Sequence, residues 1–257
     1  RPRKPICPVM RRQAAVCRRV AHTTKDARIM NDILSVKNLR LIYQTPEDET
    51  EAIADVSFDV GEGEFVALVG PSGCGKTTVL SVAAGLMKPT GGEAVLDGTP
   101  VTGPRSDVGY MLQRDCLFEW RTVEKNVLLG LDIQKKRAPE HAARARELLD
   151  KYGLKSFARH YPNQLSGGMR QRVALIRTLA FRPKILLLDE PFSALDFQTR
   201  LAVCDDVHAI IRRENLSALL VTHDISEAVS LADKIVVLSA RPARVKNIYR
   251  VDIDKPT

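Results

Sequence analysis

The sequence predicts an α/β fold built on a mainly parallel β-sheet with an inserted helical subdomain. Continuously apolar runs, such as FVALV at residues 65–69 and ILLL at residues 185–188, are typical of strands buried on both faces of a parallel sheet. Helical periodicity alternates with such runs before and after residues 122–180, which show helical periodicity alone. The alternation favours a parallel sheet, and the uninterrupted helical region favours a subdomain inserted in it.

In the first half of the chain the pattern predicts mostly strands. Alternating or continuous apolar positions predict strands at residues 33–43, 52–60, 65–69, 94–96 and 108–112. We expect the acidic residues 46–51 to form a loop and residues 61–64 to form a tight turn into the third strand. One helix is expected at residues 78–86.

In the second half, helices and strands alternate once the helical region has ended. Within that region, residues 140–152 place apolar or small side chains at helical spacing, with Gly153 as the expected C-cap. The pattern then predicts strands at residues 184–188, 217–222 and 234–239. It predicts helices at residues 198–213 and 225–232.

The positive charge of the chain is concentrated in residues 1–29. They hold nine of the 39 Lys and Arg residues but only Asp26 among the 31 acidic residues, so the remainder carries equal numbers of both signs. A neutral body is poor support for nucleic-acid binding, and no nucleic-acid partner is expected. We expect a basic, disordered extension ahead of a domain at residues 30–257; translated sequence upstream of a start at Met30 and a transit peptide are the alternatives.

Cysteine usage and hydropathy exclude two further classes of protein. The five cysteines are scattered, and none belongs to a C-x-x-C pair, so neither a zinc site nor a disulfide framework is expected. Reduced thiols fit a cytosolic compartment. No run of about 18 apolar residues occurs, so no transmembrane helix is expected and any membrane role must come through a partner.

A phosphate-binding motif follows the strand at residues 65–69. Residues 70–77, GPSGCGKT, fit G-x-x-x-x-G-K-[ST], in which glycines let backbone N–H groups approach a polyphosphate. Lys76 can reach the β- and γ-phosphates, and the Thr77 hydroxyl can ligate Mg²⁺. The predicted nucleotide-binding residues of this segment are Gly70, Pro71, Ser72, Gly73, Cys74, Gly75, Lys76, Thr77 and Thr78. A Gly-rich turn without a ligand would fit the same letters, but the strand before it and the helix after it favour nucleotide binding.

Two carboxylates follow the apolar run at residues 185–188. Ligands bind at the C-terminal edge of such sheets, where Asp189 can hold Mg²⁺ through water and Glu190 can polarise an attacking water. Taken alone, the pair also fits a strand end with solvated charges. The phosphate-binding motif upstream favours the catalytic interpretation.

A second anion-binding helix N-terminus is predicted in LSGGMRQ at residues 165–171. Ser166, Gly167 and Gly168 precede a helix expected from about Met169, and such a start presents free N–H groups and a positive dipole end. An ordinary serine N-cap is the plainer interpretation of these three residues.

Taken together, GPSGCGKT, LSGGMRQ and ILLLDE resemble, in order and spacing, the ATP-binding subunit of ABC transporters. The resemblance covers about residues 33–250. It implies a P-loop NTPase fold with an N-terminal antiparallel β-subdomain and a helical subdomain at about residues 115–182. Residues 117–127 and 238–245 resemble segments of the nitrate, sulfonate and taurine importer group, although Glu119 stands where that group usually has proline.

The resemblance also implies roles for individual residues. Tyr43 matches the aromatic residue that stacks on adenine, Gln113 the glutamine that contacts Mg²⁺ and faces the permease, and His223 the switch histidine that contacts the γ-phosphate. Residues 193–196, SALD, match the D-loop. Without the other motifs, Tyr43 would be an ordinary strand-end aromatic and His223 an ordinary loop histidine. The resulting site residues are Glu190, His223 and Gln113 for catalysis, Thr77, Gln113 and Asp189 for the metal, and Ser166, Gly167 and Gly168 for a partner's nucleotide.

The function implied by the resemblance is ATP binding and hydrolysis in the service of an ABC importer for nitrate, sulfonate, taurine or a related small solute. ATP and Mg²⁺ would be its cofactors. Its partners would be a second copy in an ATP-dependent homodimer, transmembrane permease subunits and, through the complex, a substrate-binding protein. Such a subunit sits peripherally on the cytoplasmic face of the inner membrane.

Two other classes remain as alternatives. A soluble ABC ATPase of DNA repair, chromosome organisation or translation usually carries two ATPase modules, a coiled-coil insert or a long linker. A P-loop kinase or GTPase would lack the LSGGMRQ segment.

Overall fold

The computed structural model describes residues 20–22, 32–44, 48–135 and 139–252. Within these ranges, eleven strands form one sheet. The strands are β1 Val20–His22, β2 Asp32–Gln44, β3 Glu49–Gly61, β4 Phe65–Val69, β5 Gly91–Leu96, β6 Thr99–Pro100, β7 Val108–Met111, β8 Ile185–Asp189, β9 Ser217–Thr222, β10 Lys234–Leu238 and β11 Ala243–Val251. Their order in the sheet is β6-β5-β2-β3-β11-β10-β4-β9-β8-β7, with β1 beside β11.

The parallel part of the sheet consists of β10, β4, β9, β8 and β7. All side chains of β4, β8 and β9 are buried, as their apolar sequences predict. The register pairs Val69 with Thr222 and Asp189 with Val221. The C-terminal ends of β4, β8 and β9 therefore meet at one edge of the sheet, and the loops that follow them are brought together there.

The remaining strands form the predicted antiparallel subdomain. β2 pairs antiparallel with both β3 and β5, and β5 pairs with β6. β11 joins this part to the parallel strands, because it runs antiparallel to β10 and parallel to β3. The predicted fold class, a mainly parallel central sheet with an N-terminal antiparallel β-subdomain, is confirmed.

Helices cover both faces of the parallel strands. They are α1 Lys76–Ala83, α2 Val123–Val127, α3 Leu129–Ile133, α4 Pro139–Lys151, α5 Gly167–Leu179, α6 Phe197–Arg213 and α7 Ile225–Leu231. Alternate residues of β4 face two hydrophobic layers: Phe65 and Ala67 pack with α2 to α7, whereas Val66 and Leu68 pack with α1 and the antiparallel strands. No helix in these described ranges is long and apolar enough to cross a membrane.

Several sequence-based boundaries were wrong. Residues 49–51, which were expected to lie in an acidic loop, belong to β3, where Thr50 pairs with Tyr43 of β2. α1 begins at Lys76 and α5 at Gly167, each about two residues earlier than expected, because helix N-termini depend on caps more than on apolar spacing. β11 was not predicted at all, since charged residues interrupt its apolar alternation.

Only a small part of the basic N-terminal segment is described. Residues 20–22 form β1, which pairs antiparallel with β11. Backbone pairing with β11 gives these three residues a strand conformation, and the expected disorder of the extension as a whole stays a prediction. The other residues of 1–29 lie outside the described residues.

Candidate nucleotide site

The phosphate-binding loop connects β4 to α1 at the C-terminal edge of the sheet. Gly73 and Gly75 have φ angles of 71° and 108°, in the left-handed region that favours glycine. A side chain at Gly75 would also approach the carbonyl oxygen of Ala52 to 3.2 Å. Gly75 is the N-cap residue of α1, so the first free N–H groups of that helix open toward the loop.

Lys76 is held over this loop. Its ammonium Nζ donates hydrogen bonds of 2.9 Å to the carbonyl oxygens of both Gly70 and Pro71, and the residue is 5% exposed. The positive charge therefore lies beside the N–H groups of the helix start. A polyphosphate placed here would meet both the ammonium and the helix dipole.

Thr77 and Asp189 form the second element of the site. The Thr77 hydroxyl donates a 3.0 Å hydrogen bond to Oδ1 of Asp189, which ends β8. Burial raises the pKa of Asp189, against the opposing effect of the Thr77 hydrogen bond, and nearby Glu190 raises it further. A hydroxyl and a carboxylate next to a phosphate loop are the oxygen donors that Mg²⁺ takes in combination with phosphate oxygens, so these residues fit that ion.

Glu190 and His223 meet where β8 and β9 end. Oε2 of Glu190 lies 3.1 Å from Nδ1 of His223, and the Glu190 N–H donates to the carbonyl oxygen of Val221. Glu190 has a φ of 44°, which is uncommon for a residue with a side chain and is a form of strain found at functional sites. Both side chains reach solvent, with His223 56% exposed and Glu190 22% exposed.

Tyr43 lies close to the phosphate loop although it comes from the antiparallel subdomain. Its hydroxyl is 3.1 Å from the hydroxyl of Thr78 in the first turn of α1, and the residue is 39% exposed. The structure thus brings Tyr43 to the base of the loop. An exposed ring at this position is available for stacking against a planar group.

Gln113 contacts the D-loop. Its Nε2 donates a 3.1 Å hydrogen bond to the hydroxyl of Ser193, which itself donates to the carbonyl oxygen of Glu190. The glutamine is therefore linked to the strained Glu190 backbone through one serine.

Ser166, Gly167 and Gly168 form the start of α5, and the two glycines pack on the D-loop and α6 of the same chain. The Ser166 hydroxyl is the N-cap and accepts from the N–H of Met169 at 3.3 Å. A Cβ at Gly167 would lie 3.1 Å from Leu195, and a Cβ at Gly168 would lie 2.8 Å from Val203. Close packing against these elements thus gives a reason for both glycines, while Ser166 and Gly167 remain exposed.

Two contributors near the site were not predicted from the sequence. The hydroxyl of Tyr110 on β7 interacts with the carboxylate of Asp189, and burial together with that carboxylate raises the pKa of Tyr110 to about 12. Arg170 of α5 makes ion pairs with Asp115, at 2.8 Å, and with Glu119, at 3.0 Å. Glu119, the residue that departs from the importer-group pattern, thus links the segment after Gln113 to α5. The Tyr110 contact could not be predicted from the sequence, because strand alternation places Tyr110 and Met111 on opposite faces of the sheet without showing what either side chain contacts.

Comparisons with known proteins agree with this arrangement. The family model for the ABC transporter matches residues 53–193. The uncharacterized ABC transporter ATP-binding protein YtlC of Bacillus subtilis (strain 168) is 45% identical over 218 residues, covering 85% of this chain and 84% of that protein. The taurine import ATP-binding protein TauB of Pelagibacter ubique (strain HTCC1062) is 40% identical over 223 residues, covering 86% of this chain and 84% of that protein.

A solved structure gives the same result for the fold. The dimeric structure of MJ0796, a bacterial ABC transporter cassette, matches with a TM-score of 0.73 and 34% identity, over 86% of this chain and 100% of that chain. The P-loop NTPase fold expected from the sequence is therefore confirmed. By its motifs, its fold and its relatives, the chain belongs to the ABC transporter family, as an ATP-binding subunit that hydrolyses ATP.

Proposed function

We propose that two copies of this chain enclose ATP and that the phosphate loop of each copy faces the start of α5 in the other. The observation that carries this proposal is the gathering of Lys76, Thr77, Asp189, Glu190 and His223 at one edge of the sheet. Ser166 and Gly167 are exposed at a helix N-terminus and could bind the γ-phosphate of ATP held by a second copy. The similar cassette MJ0796 is described as a dimer.

Each residue then has a role in hydrolysis. Lys76 and the N–H groups at the start of α1 bind the β- and γ-phosphates, and Tyr43 stacks on adenine. Thr77, Asp189 and Gln113 would hold Mg²⁺, which would supply positive charge to neutralise the phosphate oxygens. Glu190 accepts a proton from the attacking water, while His223 orients Glu190 and contacts the γ-phosphate. The remaining residues proposed for the loop are Gly70, Pro71, Ser72, Gly73, Cys74, Gly75 and Thr78.

We further propose that hydrolysis powers uptake of taurine, another sulfonate, nitrate or a related small solute. The likeness to TauB and the sequence of residues 117–127 support this solute class. Trp120 in this segment is 73% exposed, and Leu112, five residues before the segment, is 44% exposed; both offer an apolar contact for a transmembrane permease. A substrate-binding protein would complete the complex, and the subunit would lie on the cytoplasmic face of the inner membrane.

The composite site can be tested by mixing two inactive variants. Lys76→Ala destroys the phosphate loop and Ser166→Arg blocks the α5 start, so a mixed dimer carries both defects in one composite site and leaves the other intact. We expect each variant alone to lack ATPase activity and the mixture to recover part of it. Lys88→Ala, which removes an exposed lysine shortly after α1, is the control for loss of charge.

Crosslinking gives a second measurement for the case in which both sites must act together. A nucleotide analogue carrying a thiol-reactive group should crosslink Ser166→Cys in one copy while bound to the phosphate loop of the other. Crosslinks confined to one chain would contradict the trans arrangement. Co-purification with an integral membrane protein separates the importer from a soluble ABC ATPase, since only the importer requires a permease.

A further inference from the structure

One arginine outside the motifs joins the D-loop to the loop that carries His223. Arg200 lies in the first turn of α6, and its NH2 group donates a 3.0 Å hydrogen bond to the carbonyl oxygen of Leu195. Leu195 belongs to the D-loop and is buried. The position of Arg200 is fixed by the helix start itself, since its N–H donates to the carbonyl oxygen of Asp196.

The other arms of the guanidinium reach two carboxylates that follow His223. NH1 of Arg200 lies 3.8 Å from Oδ2 of Asp224, and Nε lies 3.9 Å from Oε1 of Glu227. Asp224 is the residue after His223 and caps α7 by accepting from the N–H groups of Ser226 and Glu227. The guanidinium therefore spans from one loop to the other.

The residues on either side of His223 are linked by hydrogen bonds to each other and to Glu227. The Thr222 hydroxyl donates to Oε2 of Glu227 at 2.6 Å and accepts from the N–H of Asp224 at 3.0 Å. His223 is thus held between two residues that share these hydrogen bonds. Glu227 is 9% exposed, and the Arg200 guanidinium, 3.9 Å away, is a cation that favours the charged form of this buried carboxylate.

We propose that Arg200 is a positioning residue for hydrolysis: its fork holds the D-loop and the His223 loop in register, so that His223 meets Glu190. This inference rests on the proposed roles of His223 and Glu190. Arg200 would leave ATP binding to the phosphate loop and act only on the geometry of the catalytic pair. A lysine cannot replace Arg200, because one ammonium group cannot contact the Leu195 carbonyl and the two carboxylates, which lie at separate positions.

The test compares Arg200→Gln with Arg213→Gln, which removes the same charge from an exposed position at the other end of α6. We expect Arg200→Gln to lower kcat by about tenfold or more while the KM for ATP stays within about twofold. In protein labelled with ¹³C at histidine, the imidazole signal that His223→Ala removes should move in Arg200→Gln. Neither kcat nor the His223 imidazole signal should change in Arg213→Gln.

The outcomes separate the inference from the proposed function. Wild-type kcat and an unmoved His223 signal in folded Arg200→Gln would overturn the role of Arg200 while leaving the ATPase mechanism intact. Wild-type kcat in folded Glu190→Gln and His223→Ala would instead overturn the proposed roles of that pair, and the position of the His223 signal in Arg200→Gln would still test the contact. If Arg200→Gln does not fold, Arg200→Lys answers the same question, since it keeps the stem and charge but loses the fork.

Discussion

Oε2 of Glu190 and Nδ1 of His223 are 3.1 Å apart, and each residue directly follows a buried parallel strand. The two strands are neighbours in the sheet, so strand pairing sets how far apart the two backbones lie. The positive φ of Glu190 turns its side chain out of the strand direction. Backbone geometry therefore brings Glu190, the proposed general base, next to His223, the proposed contact of the γ-phosphate.

The carboxylate charge of Glu190 should be needed for turnover more than for binding. Glu190→Gln keeps the side-chain shape and an acceptor for His223 but removes the base, so we expect kcat to fall by about 10²-fold or more with little loss of ATP affinity. The variant should accumulate as an ATP-bound dimer in size-exclusion chromatography. Glu62→Gln, at an exposed turn, is the control. A monomeric variant with normal hydrolysis would exclude Glu190 as the catalytic carboxylate.

Gly168 should tolerate no side chain, although it lies in a helix. Helix propensity alone favours alanine over glycine by about 0.8–1.0 kcal/mol. A Cβ here would lie 2.8 Å from Val203 and 3.3 Å from Thr199, and overpacking costs about 1–3 kcal/mol. We expect Gly168→Ala to lower the free energy of unfolding in urea, whereas Gly103→Ala, which meets no atom within 4 Å, should not. A stabilised Gly168→Ala protein would show that α5 and α6 are not packed this closely.

Glu214 should stabilise the contact between α4 and the end of α6. It accepts hydrogen bonds from Lys151 at 2.6 Å and Tyr152 at 2.7 Å and pairs with Arg144. Burial favours a higher pKa for Glu214, but these donors outweigh it and lower the pKa from 4.5 to about 2. We expect Glu214→Gln to lose about 2 kcal/mol of unfolding free energy at pH 7.

The contribution of Glu214 to stability should decrease at low pH. Because the folded pKa of Glu214 is depressed, its contribution is complete above the unfolded pKa of 4.5 and is lost as the pH falls toward 2. The difference in Tm between the wild type and Glu214→Gln should therefore shrink as the pH falls below about 4.5. Glu147→Gln, an exposed partner of the same Arg144, is the control. A Tm difference that is constant from pH 7 to pH 3 would contradict this role of Glu214.

The basic N-terminal segment should be dispensable for the ATPase. A chain that begins at Met30 loses only β1 among the described elements, and β1 pairs through three residues. We expect its Tm to stay within about 3 °C of the full chain and its ATPase rate to be unchanged. Calorimetry and a phosphate-release assay on both chains check this. A large loss of either would show that residues 1–29 pack on the domain.

The sequence predicted the parts of the site that depend on local backbone rules. The phosphate loop is one such part, because its spacing of Gly73, Gly75 and Lys76 after an apolar strand is rare outside phosphate-binding loops. The apolar runs of β4, β8 and β9 are another, because they predict parallel strands whose C-terminal ends meet at one edge of the sheet. Contacts between separate loops could not be predicted in this way. The bond from Gln113 to Ser193 and the fork of Arg200 depend on how loops meet after folding.

β11 was not predicted from the sequence, for a related reason. Its sequence, ARVKNIYRV, mixes charged and apolar residues because its neighbours change along its length. β10 pairs along most of it, β3 pairs near its start, and β1 pairs near its end. A strand whose environment changes in this way has no simple period of two in its hydrophobicity.

The position of β4 in the sheet also determines when the protein can fold during synthesis. Val66 pairs with Leu219 on one side and with Lys234 on the other, so both neighbours of β4 leave the ribosome long after β4 itself. Until then the phosphate loop has no rigid base, and the nascent chain exposes two unpaired apolar edges that can associate with other chains. A chain interrupted before residue 217 should therefore be unable to hold nucleotide and should be prone to aggregation, however complete its phosphate-binding motif.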